Sequence, residues 1–258
     1  MLPDIAFFDA IAEAAAAETL PRFRMPVTID NKESTGFDPV TEADRAAEKA
    51  IRQLITERYP EHGILGEEHG DVGLDREYVW VIDPIDGTRA FISGLPVWGT
   101  LVGLYHEGKA VMGMMDQPFT GERFVARPGE AVVKRNGAVS PLSTRKNVSL
   151  DQAIMMTTSP KIFSAELEPS YGQVESRVQL ARYGCDCYAY AMVASGHIDL
   201  VVEADLKPYD VGGLIPLVEQ AGGVMTTWTG DRAEMGGTIV ASGSAQLHEE
   251  VLELLNRN

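Results

Sequence analysis

The residues best suited to chemistry fall in one short stretch, Val79-Trp80-Val81-Ile82-Asp83-Pro84-Ile85-Asp86-Gly87-Thr88. An apolar run typical of a buried strand ends in two aspartates three residues apart, followed at once by Gly-Thr. Hard divalent cations take oxygen ligands, and this spacing lets both carboxylates and the Ile85 carbonyl converge at a strand end. Gly87 and Thr88, if they open a helix, would present backbone N–H groups and a hydroxyl to an anion. One segment can thus hold a metal and a phosphate together. The same residues also fit an ordinary Asp-Pro and Asp-Gly turn. Gly63-Ile64-Leu65-Gly66-Glu67-Glu68 is a second apolar run delivering acids, and Pro208-Tyr209-Asp210-Val211-Gly212-Gly213 places a lone acid at the start of a helix rich in small residues. Taken singly, Glu67 and Glu68 suit a solvated turn, and Asp210 suits a helix N-cap.

The elements that must position these residues are legible in outline. Ile5, Phe8, Ile11, Ala12, Ala15 and Ala16 recur at helical spacing over residues 4–20, and Pro21 stops the run. Thr41 and Asp44 form an S/T-x-x-acid cap for a second helix with Ala47, Ile51, Leu54 and Ile55 on one face, ending before Pro60. Short β runs at 78–82, 97–105, 109–116, 122–126 and 131–134, separated by turn clusters, predict an antiparallel meander. From about residue 150 the texture alternates: strand 153–158, helix from 160, strand 177–182, helix 186–195, strand 198–203, helix 211–221, strands 223–227 and 238–241, helix 244–256. Alternation of that kind predicts an α/β layered second half. The chain therefore divides into an N-terminal α+β half, 1–147, and a C-terminal α/β half, 148–258, with room for a site where the two meet.

Composition narrows the class. At 258 residues, with 45% hydrophobic and 23% charged, the chain is globular and long enough for a sizeable core. Acidic residues outnumber basic ones by 38 to 22, a net charge of −16, which argues against a nucleic-acid polymer as partner. The first twenty residues carry Asp4, Asp9, Glu13 and Glu18, unlike a signal peptide, and no apolar run is long enough to span a membrane. Cys185 and Cys187 suit neither a structural disulfide nor a zinc set and are expected as reduced thiols in a cytoplasmic protein.

Taken together, Asp83-Pro84-Ile85-Asp86-Gly87-Thr88, the preceding Gly66-Glu67-Glu68 and Asp38-Pro39-Val40-Thr41-Glu42-Ala43-Asp44, and the following Tyr209-Asp210-Val211 and Glu219-Gln220-Ala221-Gly222-Gly223 resemble the inositol monophosphatase family of Mg²⁺-dependent, Li⁺-inhibited phosphatases. The resemblance covers nearly the whole chain in order. It implies a five-layer αβαβα sandwich, an α/β (α+β) fold, and a homodimer. It also implies Glu67, Asp83, the Ile85 carbonyl, Asp86 and Asp210 as ligands of two to three Mg²⁺, with Asp83 bridging two ions. Asp44 and Thr88 would orient the attacking water and, with Glu67, make up the catalytic residues. Asp44 can cap its own helix at the same time. Gly87 and Thr88 would hold the phosphate and Glu203 would contact the leaving-group alcohol, with Asp186 and Asp210 completing the substrate-facing set. The family's usual lysine before the Asp-x-Val-Thr block is best matched by Lys32, but its spacing to Asp38 is one residue longer than the family pattern, so Lys32 is left out.

Electrostatics points the same way. Carboxylates gathered around a phosphate dianion repel it, by up to about 4 kcal/mol per charge pair at an effective dielectric near 20. Substrate binding therefore requires cations, and metal-assisted in-line hydrolysis follows: one ion lowers the pKa of the nucleophilic water and another stabilises the leaving alkoxide. A catalytically silent phosphate- or metal-binding regulator would not need Asp44 and Thr88 besides the ligands.

The substrate is read from two further segments. Arg89-Ala90-Phe91-Ile92-Ser93-Gly94-Leu95-Pro96-Val97-Trp98-Gly99-Thr100-Leu101 and Gly184-Cys185-Asp186-Cys187-Tyr188-Ala189-Tyr190 resemble the histidinol-phosphatase branch of the family. Histidinol carries an ammonium and an imidazole, for which added carboxylates are favourable, and Glu203 and Asp186 are placed to supply them. Asp186 fits equally well as the N-cap of the 186–195 helix. Inositol 1-phosphate, or a broader set of sugar and nucleotide phosphates, is the competing substrate. Arg182 could meet the phosphate, pair with Asp210 or be a surface charge. Trp98 and Tyr209 suit packing, and the five histidines suit surface or turn positions.

Overall fold

In the computed structural model, which describes residues 2–26, 28–31 and 39–257, helix α1 (Ile5–Thr19) starts at Asp4, whose carboxylate accepts the Phe7 N–H at 2.9 Å. Strands β1 (Ile29–Asn31) and β2 (Pro39–Thr41) pair antiparallel and lead into α2 (Glu42–Arg58). Its capping box forms as expected: Thr41 Oγ1 accepts the Ala43 N–H at 3.1 Å, and Asp44 Oδ2 accepts the Thr41 N–H at 2.9 Å. Lys32 and Asp38 lie outside the described residues.

Strand β3 (Gly63–Gly66) runs parallel to β4 (Tyr78–Asp86), which leads through the short helix α3 (Thr88–Ile92) to an antiparallel meander. The meander comprises β5 (Gly99–His106), β6 (Lys109–Gln117), β7 (Glu122–Arg127), β8 (Glu130–Arg135) and β9 (Ala138–Pro141), giving a seven-stranded sheet in sequence order. The second sheet has the order β11-β10-β12-β14-β13, from β10 (Ile154–Thr157), β11 (Leu180–Tyr183), β12 (Leu200–Leu206), β13 (Val224–Thr227) and β14 (Gly237–Ser242). Helices α4 (Glu168–Glu175), α5 (Asp186–Ala194), α6 (Pro208–Gly212), α7 (Leu214–Gln220) and α8 (Ala245–Leu255) complete the chain.

Burial sorts these elements into five layers. Phe8 and Ile11 of α1, with Ala47, Ile51 and Ile55 of α2, pack on Trp80, Ile82, Val102 and Met114 of the large sheet. Its other face, through Leu101, Met115 and Phe124, meets Tyr190 of α5 and Leu214 and Leu217 of α7, which also pack on Val201, Ile239 and Ala241 of the small sheet. Leu200 and Val202 flank Val201 but point to the opposite face, where α4 and α8 cover them with Tyr171, Val174, Leu247 and Val251. The order is helix, sheet, helix, sheet, helix. Among the described residues no helix is long and apolar enough to cross a membrane.

Several boundaries differ from expectation for local reasons. The helix expected from residue 160 is a single 3₁₀ turn, Pro160–Ile162, and α4 begins only at Glu168, with a proline in its first turn. The strand expected at 177–182 starts at Leu180, and the helix expected at 211–221 is two helices meeting at Gly213. Strand β9 was not anticipated, because all four of its residues are exposed and show no alternation.

The junction of α6 and α7 lies directly on the large sheet. Gly103 and Gly113, cross-strand partners on β5 and β6, face it without side chains. A Cβ on Gly113 would stand 2.1 Å from the Gly213 carbonyl oxygen. Gly113→Ala is therefore expected to cost about 2 kcal/mol or more, a fall in Tm of roughly 4–8 °C. A melting temperature within a degree of the parent protein would contradict this close seating.

Candidate active site

Asp83 and Asp86 reach the same end of β4 because the strand is not regular there. Asp83 pairs with Leu101 and Asp86 with Gly99, so three steps on one strand match two on its neighbour, a one-residue bulge. On an unbroken strand a three-residue spacing would send the two side chains to opposite faces. Asp83 Oδ1 accepts the Ile85 N–H at 3.0 Å, and Thr100 Oγ1 donates to the Pro84 carbonyl at 2.9 Å, fixing the bulge. Gly87 then turns the chain into α3 at φ +86°, which only glycine adopts at little cost.

Around this strand end the structure collects residues distant in sequence. Thr88 Oγ1 lies 3.2 Å from the Ile85 carbonyl and 3.4 Å from Asp44 Oδ1. Asp44 is fully buried, and its other oxygen accepts from Thr41 Oγ1 at 2.6 Å. The Glu67 N–H donates to the Ile82 carbonyl at 3.2 Å, holding the end of β3 one residue from Asp83. Asp210 Oδ2 accepts the Lys207 N–H at 2.6 Å, so Asp210 caps α6 while facing the same acids. Glu67, Asp83, Ile85, Asp86, Thr88 and Asp210 line a cleft of about 540 Å³, which also takes in Asp186 on α5 and Glu203 on β12 but not Asp44.

The carboxyls perturb one another. Burial pushes the Asp83 carboxyl well above the usual range, and the charges of Glu67, Asp86 and Asp210 push it further. Asp86 is raised by burial and then by Asp186, Asp210, Glu67 and Glu203. Asp210 is raised to about 7, chiefly by burial, with the Glu67 charge adding and the Lys207 N–H opposing. Burial also raises Asp44 to about 6. Among the described residues, no three His, Cys, Asp or Glu side chains close on one point at ligating distance. The donor set nevertheless fits a hard divalent cation: it is all oxygen, mutually repelling, and includes the Ile85 carbonyl beside Asp83 and Asp86.

Residues 3–258 match the sequence model of the inositol monophosphatase family. The chain belongs to the inositol monophosphatase family. Members of this family are phosphatases. A similar relative is "Bifunctional phosphatase IMPL2, chloroplastic" of Arabidopsis thaliana, 43% identical over 96% of this chain and 73% of its own length. "Histidinol-phosphatase" of Mycobacterium tuberculosis is 33% identical over 96% of both chains. Among solved structures, an inositol monophosphatase from Zymomonas mobilis superposes with a TM-score of 0.86 at 39% identity, covering 98% of each chain.

Asp186 is not an N-cap: Cys185 holds that position, without a side-chain cap, and Asp186 is the first residue of α5 at φ +43°. A non-glycine residue in that region stores on the order of 1 kcal/mol of strain. Its carboxyl packs on Gly87, where a Cβ would lie 3.1 Å from Asp186 Oδ2. Burial raises Asp186 to about 6, against the nearby Arg89 guanidinium. Glu203 is 2% exposed and raised to about 8 by burial, although its Oε1 accepts the Thr158 N–H at 2.6 Å. Its Oε2, beside the Thr157 hydroxyl, closes no hydrogen bond of normal geometry among the described residues. Arg89, Lys161 and Lys207 line the cleft and were not foreseen; Arg89 alone had a signal, following Gly-Thr directly.

Other side chains fall outside the chemistry. Arg182, on the edge strand β11, is exposed and does not line the cleft. Trp98 is wholly buried among Phe23 and Phe91, whereas Tyr209 does line the cleft. Burial raises both cysteine thiols, and the charge of Asp186 adds to each, which makes them poor nucleophiles. His248 is not a surface residue: it is buried between Ser242 at 3.1 Å and Thr226 at 2.8 Å, and burial lowers it to about 4.

Proposed function

We propose that the chain is a Mg²⁺-dependent phosphomonoesterase that hydrolyses L-histidinol phosphate to L-histidinol and phosphate, a step of histidine biosynthesis. Glu67, Asp83, the Ile85 carbonyl, Asp86 and Asp210 would hold the ions. Bound Mg²⁺ supplies a water of lowered pKa and positive charge beside the departing oxygen. The protein's own part is positioning. Thr88 Oγ1, tied to Asp44 and to the Ile85 carbonyl, fixes a hydroxyl where it can orient the attacking water. Backbone N–H groups of Gly87 and Thr88 would face the phosphate, and the in-line reaction requires no covalent nucleophile. Two to three ions, inhibition by Li⁺, a homodimer and a cytoplasmic location belong to the same reading.

The observation that carries the substrate is the pair Asp186 and Glu203, a half-buried and a buried carboxyl that line the same cleft as the proposed ion-binding acids. A neutral polyol gives buried carboxyls only hydroxyl donors, whereas an ammonium beside the ester gives a charge-assisted bond. The relatives support the reading in part: one carries the name histidinol-phosphatase, and the 39% identical solved neighbour keeps inositol 1-phosphate as the second reading. Phosphate release is measured from L-histidinol phosphate and inositol 1-phosphate in parallel, with Mg²⁺ and with chelator. The expected kcat/KM ratio favours histidinol phosphate by about a hundredfold or more, since a site that pairs a buried polar group of its substrate rejects an analogue that lacks it. Comparable or reversed values would replace the substrate and leave the phosphatase reading standing.

A further inference from the structure

One fully buried carboxylate lies outside the cleft and is used by none of the steps above. Glu48 sits on α2 one turn after Asp44, on the same face, and is 0% exposed. Its Oε2 accepts the Glu68 N–H at 2.7 Å, and its Oε1 accepts the His69 N–H at 3.2 Å and Arg52 Nε at 2.6 Å. Arg52 also donates to the Gly70 carbonyl, and the His69 ring meets the Arg45 carbonyl at 2.8 Å. The backbone just before Glu67 is pressed against the same group: a Cβ on Gly66 would stand 2.2 Å from Glu48 Oε1. On its other side Glu67 is tied to the sheet through the Ile82 carbonyl. The turn bearing Glu67 is thus held between strand and helix.

We propose that Glu48 is a positioning residue that sets how Glu67 enters the ion site. A buried carboxylate is costly unless its lone pairs are satisfied, and here the donors that satisfy it are the two backbone N–H groups following Glu67 and the arginine that also ties down Gly70. Asp44 and Glu48 give α2 two tasks on one face: the first braces Thr88, the second braces the Glu67 turn. A purely structural Glu48 would stabilise the fold equally with and without ion and leave ion affinity alone. A positioning Glu48 acts on affinity, as partners one bond behind a metal ligand do, by about ten- to a hundredfold.

The inference rests on Glu67 being an ion ligand, so the test starts with the parent protein. Chelator-treated full-length protein is titrated calorimetrically with MgCl₂ alone, beside Glu67→Gln and Glu48→Gln, and each is melted in chelator to establish that it is folded. The parent is expected to bind and Glu67→Gln to lose most binding. Folded Glu48→Gln is expected to bind with a dissociation constant raised about tenfold or more, with half-saturation of activity by Mg²⁺ moving by the same factor. If the parent binds no Mg²⁺, the ion site itself fails. If the parent binds and folded Glu48→Gln binds within twofold of it, the positioning role is overturned. Should Glu48→Gln not fold, Arg52→Gln is read instead, since Arg52 is partly exposed and donates one of the bonds. A threefold or larger rise in its dissociation constant supports the role, and an unchanged value overturns it.

Discussion

Asp83→Asn is expected to lower turnover on the order of a thousandfold, the scale on which losing one preorganised charged contact to a transition state is felt. The substitution changes no volume and removes one charge from the centre of the acidic set. Asp83 is 2% exposed, and Glu67, Asp86 and Asp210 all act on it, so its replacement alters the field at every proposed ligand. The same field destabilises the ion-free fold. In chelator, Asp83→Asn is therefore expected to melt at the parent temperature or above it, while Mg²⁺ stabilises it much less than the parent. Turnover within tenfold of the parent would remove Asp83 from the ion site. A variant that melts far lower in chelator would mean that its carboxylate holds the fold together instead of straining it.

Ion removal is expected to reverse the way stability depends on pH. Asp44 and Asp186 titrate near 6, Asp210 near 7 and Glu203 near 8 in the folded chain, all above their ordinary values of 3.8 or 4.5. Between about pH 4 and pH 8 the folded chain then binds more protons than the unfolded one, so without metal stability falls as pH rises through that window. Each pKa unit is about 1.4 kcal/mol, and Glu203 alone contributes on the order of 4 kcal/mol across the range. Mg²⁺ binding requires the deprotonated acids and strengthens as pH rises. Melts in chelator are thus expected to drop from pH 5 to pH 8, and melts in saturating Mg²⁺ to hold or rise over the same interval. Parallel curves in the two buffers would show that the acids do not bind ions. Activity should vanish with chelator at every pH.

The chemistry was more legible in the sequence than the geometry that delivers it. Asp83, Asp86, Gly87 and Thr88 are neighbours in the chain, so ligand type and spacing show directly. That Asp83 and Asp86 point the same way depends on a bulge against β5, a cross-strand property with no local mark. The cap of Asp44 is written in its own four residues, whereas its pairing with Thr88 follows only from the family resemblance; the structure shows both contacts. An aspartate before a helix is usually a cap, so the sequence offers that reading for Asp186; its left-handed backbone and its place beside Gly87, far away in sequence, carry no local mark. His248 hides its burial in the same way, since Thr226, one of its two partners, lies 22 residues off on β13, while His248 is on α8. Glu48 gave no signal, because a glutamate in mid-helix is ordinarily solvated.

The close contact between the α6–α7 junction and the large sheet bears on how such enzymes can be recombined. Asp210 is registered against the large sheet by main chain meeting main chain at Gly103, Gly113 and Gly213, while Gly212 seats against the Val81 and Tyr105 side chains. Ordinary interlayer cores are keyed side chain to side chain and clash when halves from different ancestors are joined. At this seam the key is the shared backbone, identical in any chain that keeps the glycines. Splicing the segment after residue 147 from a family relative should therefore preserve the register of the proposed metal-binding acids even where the surrounding core fits poorly, so such hybrids would lose thermal stability before they lose catalysis.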